Sequence, residues 1–229
     1  MSERPSPDAV PPRMNDHAQT PFIHFQDRAR PWAHWVLAKM GWQLYSDGFP
    51  SPWGVAIVYP HTSNWDFVVM ILAKWAIGVP AHFMAKDSLF KWPVLGRWLR
   101  HVGGLAVDRQ SPHGVVAQMV QIFEQKKRTG QPLWLGLTPE GTRSYVSAWR
   151  SGFYSMALEA QLPLGLVELD YAKKSITFTH FLRLSGDVER DIGRVASVYA
   201  GVQGKYPELA APITWQVKGK ANASETQKA

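Results

Sequence analysis

The chain has 229 residues, no cysteine and 45% hydrophobic residues, and its 25 Lys and Arg against 18 Asp and Glu give a formal charge of +7. This length suits one domain with a full core, and the missing cysteines exclude disulfide scaffolds, thiolate zinc sites and thiol nucleophiles. Eleven Trp in a basic chain fit either a nucleic-acid partner or an anionic membrane surface, so composition leaves both classes open.

The two ends of the chain differ in composition from the rest. Residues 1–20 are rich in Pro and polar side chains and lack the apolar run of a signal peptide, so secretion is not expected. We expect flexible segments at 1–20 and 218–229, because neither can bury enough apolar surface to offset the entropy of ordering. The folded domain then spans 21–217, and a cytoplasmic location is expected.

A Trp-rich stretch opens the domain. Residues 28–45 contain Trp32, Trp35 and Trp42 with few polar side chains, which predicts an N-terminal amphipathic helix. Such a helix either packs on a sheet or exposes its indoles to a membrane. With the neighbouring cations, the second possibility predicts peripheral attachment to the inner face of the membrane. No spanning helix is expected, because Lys74 and Pro80 interrupt the most apolar stretch.

The rest of the chain alternates short apolar runs with longer helical patterns. This alternation predicts an α/β fold: a single domain with a mostly buried central sheet flanked by helices. One helix is bounded by Ser111 as its N-cap, Pro112 at its first position and Gly130 after its end. The predicted strands are 55–59, 81–85, 105–107, 133–137, 164–169 and 175–179, and the predicted helices are 28–45, 64–76, 88–101, 112–129, 152–161 and 188–202.

A His and an Asp follow the first predicted strand. On one continuous helix His61 and Asp66 would lie roughly 140° apart around the axis, too far for an easy hydrogen bond. If His61 lies in the turn and Asp66 in the first turn of the next helix, with Thr62, Ser63 or Asn64 as N-cap, the carboxylate can reach the imidazole. The Asp would then fix the tautomer of a basic His, although such a pair is also common as a cap or surface contact.

A second polar loop, 138–144, follows the predicted strand 133–137 and reads Thr-Pro-Glu-Gly-Thr-Arg-Ser. Its Arg143 and its backbone amides can hold a phosphate, because a guanidinium matches phosphate oxygens with two parallel hydrogen bonds. An ordinary turn with a surface ion pair is the simpler alternative.

Together and in this order, the two loops resemble the motifs of the glycerolipid acyltransferase family, of the type that acylates lysophosphatidic acid. His61 and Asp66 match its His-x4-Asp motif, and residues 139–144 match its Pro-Glu-Gly-Thr-Arg-Ser motif without change. The fourth motif departs from the family, because Gly165 stands where a Pro is usual. Between the first and third motifs, residues similar to the family's donor and acceptor segment are Lys86, Leu89, Pro93, Gly96, Gly104, Asp108 and Arg109.

The resemblance implies a transferase of phospholipid biosynthesis that moves a fatty acyl group from acyl-CoA or acyl-carrier protein to a hydroxyl of a lysophospholipid such as lysophosphatidic acid. It implies His61 as general base, oriented by Asp66, and no metal or cofactor besides the acyl donor. The expected partners are membrane lipids and that donor, without nucleic acid. The implied substrate-binding residues are Lys86, Arg109, Glu140, Gly141, Thr142 and Arg143.

Three alternatives stay open at the level of sequence. A non-catalytic lipid-binding module at the membrane surface explains the charge and the Trp content but gives no reason for His61, Asp66 or residues 140–144. A thioesterase would use water in place of the hydroxyl acceptor. Nucleic-acid binding has only the net charge in its favour. The acceptor, the acyl chain length, the donor and the oligomeric state are likewise undetermined.

Overall fold

The computed structural model describes residues 21–108 and 114–215. The segments predicted to be flexible, 1–20 and 218–229, lie outside these residues, as do Ser111 and Pro112 of the predicted helix cap. The described strands are β1 Gln43–Ser46, β2 Trp53–Tyr59, β3 Ala81–Lys86, β4 Gly104–Val107, β5 Leu133–Leu137, β6 Leu164–Asp170 and β7 Ser175–Leu182. The described α-helices are α1 Pro31–Lys39, α2 Asn64–Ile77, α3 Pro93–Val102, α4 Gly114–Arg128, α5 Gly152–Glu159 and α6 Val188–Val198.

All seven described strands form one sheet in the order β1-β7-β6-β2-β5-β3-β4. Neighbouring strands are parallel except β6 and β7, which are antiparallel. The predicted α/β fold with a central sheet is therefore confirmed. The six predicted strands are present, each extended by at most three residues.

Apolar side chains fill both faces of the sheet, as a mostly parallel sheet requires. Val55 and Ile57 of β2 point to one face, where α4, α5 and α6 cover them. Val58 points to the other face, under α1 and α2. The α3 helix lies beside the edge strand β4. This two-sided burial explains why the central strands are continuous apolar runs rather than alternating ones.

The predicted helix 28–45 is wrong in its extent. The helix ends at Lys39, Gly41 turns the chain with a φ of +80°, and residues 43–46 pair with β7 as strand β1. Trp42 is 7% exposed and packs edge-on against Tyr171, with 4.9 Å between ring centroids, so it is a core residue and not a membrane contact. Trp32 and Trp35 on α1 do remain about half exposed.

The predicted helix 88–101 is divided at Pro93. A 3-10 helix covers Asp87–Lys91, Trp92 is extended, and α3 begins with Pro93 at its first position. A residue that precedes proline is held out of the helical region, which explains the break. Within the described ranges, no helix combines the length and the apolarity needed to span a bilayer.

Candidate active site

The two polar loops meet at the carboxyl ends of the neighbouring strands β2 and β5. β2 and β5 are parallel neighbours, so the loops that follow them leave from the same side. A cavity of about 1000 Å³ lies on this side. Its lining combines the polar side chains of His61, Asp66 and Arg143 with a largely apolar wall. The fold therefore brings both sequence motifs to one site.

The contact expected between the first pair of residues is present. Asp66 Oδ2 lies 3.1 Å from His61 Nδ1. Ser63 is the N-cap of α2, and its Oγ accepts a hydrogen bond from the Trp65 amide. The Asp66 carboxylate lies against the N-terminal end of α2, where Oδ2 also accepts hydrogen bonds from the Thr62 and Ser63 amides at 2.9 Å. The capped helix start is what closes the gap between the two side chains.

Asp66 is held in its charged form. Its side chain is 2% exposed. Burial acts to raise its pKa, but the hydrogen bonds from His61, Tyr171 and the Ser63 amide outweigh burial and hold the pKa below its ordinary value. An anionic Asp66 favours the imidazole tautomer with its proton on Nδ1. The other ring nitrogen, Nε2, is then free to accept a proton from a substrate.

Tyr171 is a residue of this site that the sequence analysis missed. Its hydroxyl donates a hydrogen bond of 2.7 Å to Asp66 Oδ1. Burial and this hydrogen bond to a carboxylate raise the pKa of Tyr171, so the hydroxyl keeps its proton at physiological pH. The available signal was a Tyr two residues after the end of the predicted strand 164–169. Its meaning depended on the order of strands in the sheet, which places β6 beside β2.

Glu140, a predicted substrate-binding residue, is 2% exposed. One carboxylate oxygen accepts a 2.6 Å hydrogen bond from the His61 amide, and the other accepts a 3.1 Å hydrogen bond from the Ala211 amide. Burial raises the pKa of Glu140 above its ordinary value, in spite of these two amides. The structure thus places Glu140 between the backbone of the His61 loop and that of the C-terminal segment.

The remaining predicted substrate-binding residues occupy different positions. Gly141 and Arg143 line the cavity. Gly141 has a φ of +69°, and its amide closes a turn to the Thr138 carbonyl at 3.0 Å. Thr142 Oγ1 accepts a hydrogen bond from the Ser144 amide within the loop. Lys86 is exposed at the end of β3 and outside the described cavity wall, and Arg109 lies outside the described residues.

Arg150 adds a second guanidinium to the cavity wall, next to Gly141. A Cβ at position 141 would lie 2.7 Å from Arg150 Nε. Glycine at this position therefore leaves room for the guanidinium. The Arg150 amide donates to the Pro139 carbonyl at 2.8 Å, which fixes this residue against the same loop. Together with Arg143, it makes this part of the cavity basic.

The cavity extends away from His61 along one side of α2. Phe67, Ile71 and Lys74 all line it, and the nine residues from Asp66 to Lys74 span about 12 Å of helix. At the far end, Lys74 donates hydrogen bonds to the carbonyls of Ala81 and Val102. Burial, with a smaller contribution from the charge of Arg30, lowers the pKa of Lys74 to about 8. The space between the two polar ends is apolar.

The packing of β6 explains the departure at Gly165. This residue is the second of strand β6 and is buried between Ala56 of β2 and Phe181 of β7. A Cβ at Gly165 would lie 3.2 Å from the ring of Trp134 and 3.4 Å from that of Phe181. A side chain at this position would therefore press against the large indole of Trp134 on β5.

Comparisons with known proteins give two findings. The model of the acyltransferase family matches residues 47–165, more than half of the chain. Among solved structures, the crystal structure of the 1-acyl-sn-glycerophosphate (LPA) acyltransferase PlsC from Thermotoga maritima is similar, with 16% identity over 76% of this chain and 78% of that chain and a TM-score of 0.47. The comparison with curated proteins gives no match. The matched range includes both polar loops and ends before Tyr171.

Proposed function

The chain belongs to the acyltransferase family, as its motifs predict, and from this premise we propose that it transfers a fatty acyl group from a thioester donor to a hydroxyl of a lysophospholipid such as lysophosphatidic acid. The observation that carries the proposal is the 3.1 Å contact between His61 and Asp66 at a cavity with basic and apolar walls. A base, a group that orients it, cations for a phosphate and apolar space for a chain are the parts that this reaction needs.

In this mechanism Nε2 of His61 removes the proton from the acceptor hydroxyl. The oxygen attacks the carbonyl carbon of the thioester, and a tetrahedral intermediate forms. Its collapse breaks the C–S bond, and the leaving thiolate takes the proton back from His61. Asp66 stabilises the imidazolium between these two proton transfers. The acceptor oxygen is itself the nucleophile, so no acyl-enzyme is needed.

The basic residues of the cavity suit the acceptor. Arg143 and Arg150 both lie in its wall near His61, on the loop after β5 and just before α5. We assign to them the phosphate of the lysophospholipid, because a guanidinium binds phosphate oxygens bidentately. Glu140 joins this loop to the His61 loop and to the C-terminal segment, because its carboxylate accepts hydrogen bonds from the backbone amides of His61 and Ala211. The apolar space along α2 is assigned to the acyl chain.

The proposal also includes attachment to the membrane that holds the acceptor, on its cytoplasmic face. Trp32 and Trp35 are 49% and 60% exposed on α1, where Lys39 stacks over Trp35 at 5.7 Å. Indoles and cations placed together favour the headgroup region of a bilayer.

The absence of cysteine permits a direct test. A thiol-reactive dye added to protein, liposomes and long-chain acyl-CoA reports only the released coenzyme. We expect release that depends on lysophosphatidic acid and that falls at least about a hundredfold in His61→Ala, because general-base catalysis contributes at least this factor. His24→Ala, at an exposed histidine, should behave as wild type.

Each other outcome selects a different function. Equal release with and without the acceptor would identify a thioesterase. Vesicle binding without release from either acyl-CoA or acyl-carrier protein, across a panel of lysophospholipids, would leave a lipid-binding module. Full turnover by His61→Ala would refute the assignment of the base.

A further inference from the structure

We propose that Tyr171 is a positioning residue of this reaction: its hydroxyl fixes one oxygen of Asp66 so that the other stays directed at His61. The kinetic consequence of this inference depends on the proposed function. Tyr171 lies outside the range that the family model matches, which ends at residue 165.

The hydrogen bonds to Asp66 divide unequally between its two oxygens. Oδ2 accepts hydrogen bonds from the Thr62 and Ser63 amides and contacts His61 Nδ1. Oδ1 accepts its hydrogen bond from Tyr171, at 2.7 Å, the usual length for O–H···O. Hydrogen bonds at both oxygens restrict rotation of the carboxylate about its Cβ–Cγ bond. Removal of the Tyr171 hydroxyl would leave a buried carboxylate oxygen without this donor.

Tyr171 is itself held in place by distant parts of the chain. Its amide donates a 2.8 Å hydrogen bond to the Gln203 carbonyl. Its ring packs edge-on against Trp42, which is buried just before β1. Tyr171 is thus held at its backbone by one contact and at its ring by the other, and this is the support that a precise catalytic geometry needs.

The hydroxyl also withdraws part of the charge of Asp66. Three titratable groups interact electrostatically with this carboxylate: His61, Glu140 and Tyr171. Tyr171 in turn interacts with Tyr206, and the ammonium group of Lys205 lies over the ring of Tyr206. Without the Tyr171 hydroxyl, the full charge of Asp66 would act on the imidazolium of His61. A more stable imidazolium loses its proton at higher pH, so the acid limb of the kcat/KM profile should move to higher pH.

Tyr171→Phe tests this with the loss of one oxygen atom. We expect kcat to fall about tenfold with little change in KM, because a hydrogen bond to a charged group is worth about one decade in rate. The acid limb should move to higher pH. A variant with wild-type kcat, or with an acid limb that stays in place or moves downward, would overturn the inference.

The matched control is Tyr154→Phe. Tyr154 likewise donates its hydroxyl proton to a buried carboxylate, Asp191, at 2.9 Å, but not to the catalytic pair. Its loss should lower the melting temperature much as Tyr171→Phe does, with the acid limb unmoved. A kinetic effect of Tyr154→Phe equal to that of Tyr171→Phe would show that general destabilisation, and not positioning, explains both.

A second readout does not depend on turnover. NMR titration of the His61 ring in labelled protein should give a higher midpoint in Tyr171→Phe than in wild type, and the same midpoint in Tyr154→Phe. If wild type transfers no acyl group, the proposed function fails, and this titration still decides whether Tyr171 acts on the pair. An unchanged midpoint would refute the inference even in an active enzyme.

Discussion

At the scale of residues, buried carboxylates organise the site. Asp66 and Glu140 are both almost fully buried, where an unpaired charge would be costly. Backbone amides satisfy both of them: those of Thr62 and Ser63 for Asp66, and those of His61 and Ala211 for Glu140. His61 is therefore held twice, through its ring by Asp66 and through its backbone by Glu140.

This arrangement predicts the effect of Glu140→Gln. The glutamine side chain has the same size as glutamate, but its NH2 group would face a backbone N–H group, and both of these are donors. We expect the free energy of unfolding to fall by about 1–3 kcal/mol and kcat to fall with it, while KM for the acceptor stays the same. Urea denaturation and steady-state kinetics measure the two effects.

The control is Glu159→Gln at the exposed end of α5, which should change the stability by less than about 0.5 kcal/mol. A raised KM for the acceptor in Glu140→Gln, with unchanged stability, would instead support Glu140 as a substrate-binding residue.

At the scale of elements, α3 and the turn before it expose an apolar surface. Trp92, Val94 and Trp98 are 68%, 85% and 48% exposed, while Leu99 and Val102 pack inward. The helix has basic residues and no acidic one. This α3 surface combines exposed apolar side chains with cations, a composition that favours the headgroup region of an anionic bilayer.

Ring contacts connect α3 with α1 across α2. Trp75 of α2 lies 5.4 Å from Trp32 of α1 and 6.2 Å from His101 of α3, measured between ring centroids. Leu89, before α3, is both exposed and part of the cavity wall. The exposed apolar side chains of this side of the molecule therefore lie close to a residue of the cavity wall.

The double variant Trp92→Gln/Val94→Gln tests the α3 surface. We expect its partition onto vesicles of phosphatidylcholine and phosphatidylglycerol to be about tenfold weaker, because two interfacial apolar side chains are lost. Turnover of a short-chain, monomeric acceptor should stay normal. Cosedimentation measures the binding.

In the same assay, Arg97→Gln on α3 should weaken binding, whereas Arg128→Gln at the end of α4 should not. If the double variant binds vesicles as wild type does, α3 is not a membrane contact. A change from dimer to monomer in sedimentation velocity would show instead that this surface joins two copies of the chain.

At the scale of the whole molecule, Lys74 links three elements. It lies on α2 and donates hydrogen bonds to a carbonyl of β3 and a carbonyl at the end of α3. Because these contacts exist only in the folded chain, its lowered pKa of about 8, against 10.5 for a free lysine, couples protonation to folding.

The sign of the resulting pH dependence is fixed. Between about pH 8 and 10 the unfolded chain keeps the Lys74 proton that the folded chain has lost, so the contribution of this residue to stability rises with pH. We expect the difference in unfolding free energy between wild type and Lys74→Met to increase over this interval in urea denaturation. Lys91→Met, at an exposed lysine, should give a constant difference. A constant difference for Lys74→Met would contradict the lowered pKa.

The sequence by itself determined the features that are local. Runs of apolar residues such as 133–137 defined the buried strands, since a strand covered on both faces needs apolar side chains throughout. The His61–Asp66 contact was also accessible, because an N-cap at Ser63 and a spacing of five residues restrict the geometry of one loop. The motif order likewise led to the correct family.

Only the tertiary structure decided which distant groups hold these motifs in place. Tyr171 is 105 residues from Asp66, and Ala211 is 71 residues from Glu140. Every residue carries a backbone amide, so an amide donor leaves no mark in a sequence. The same holds for Trp42, whose place in the core depends on strand β1 and its pairing with β7. Chain folding brings such groups together, and local patterns of side chains do not record it.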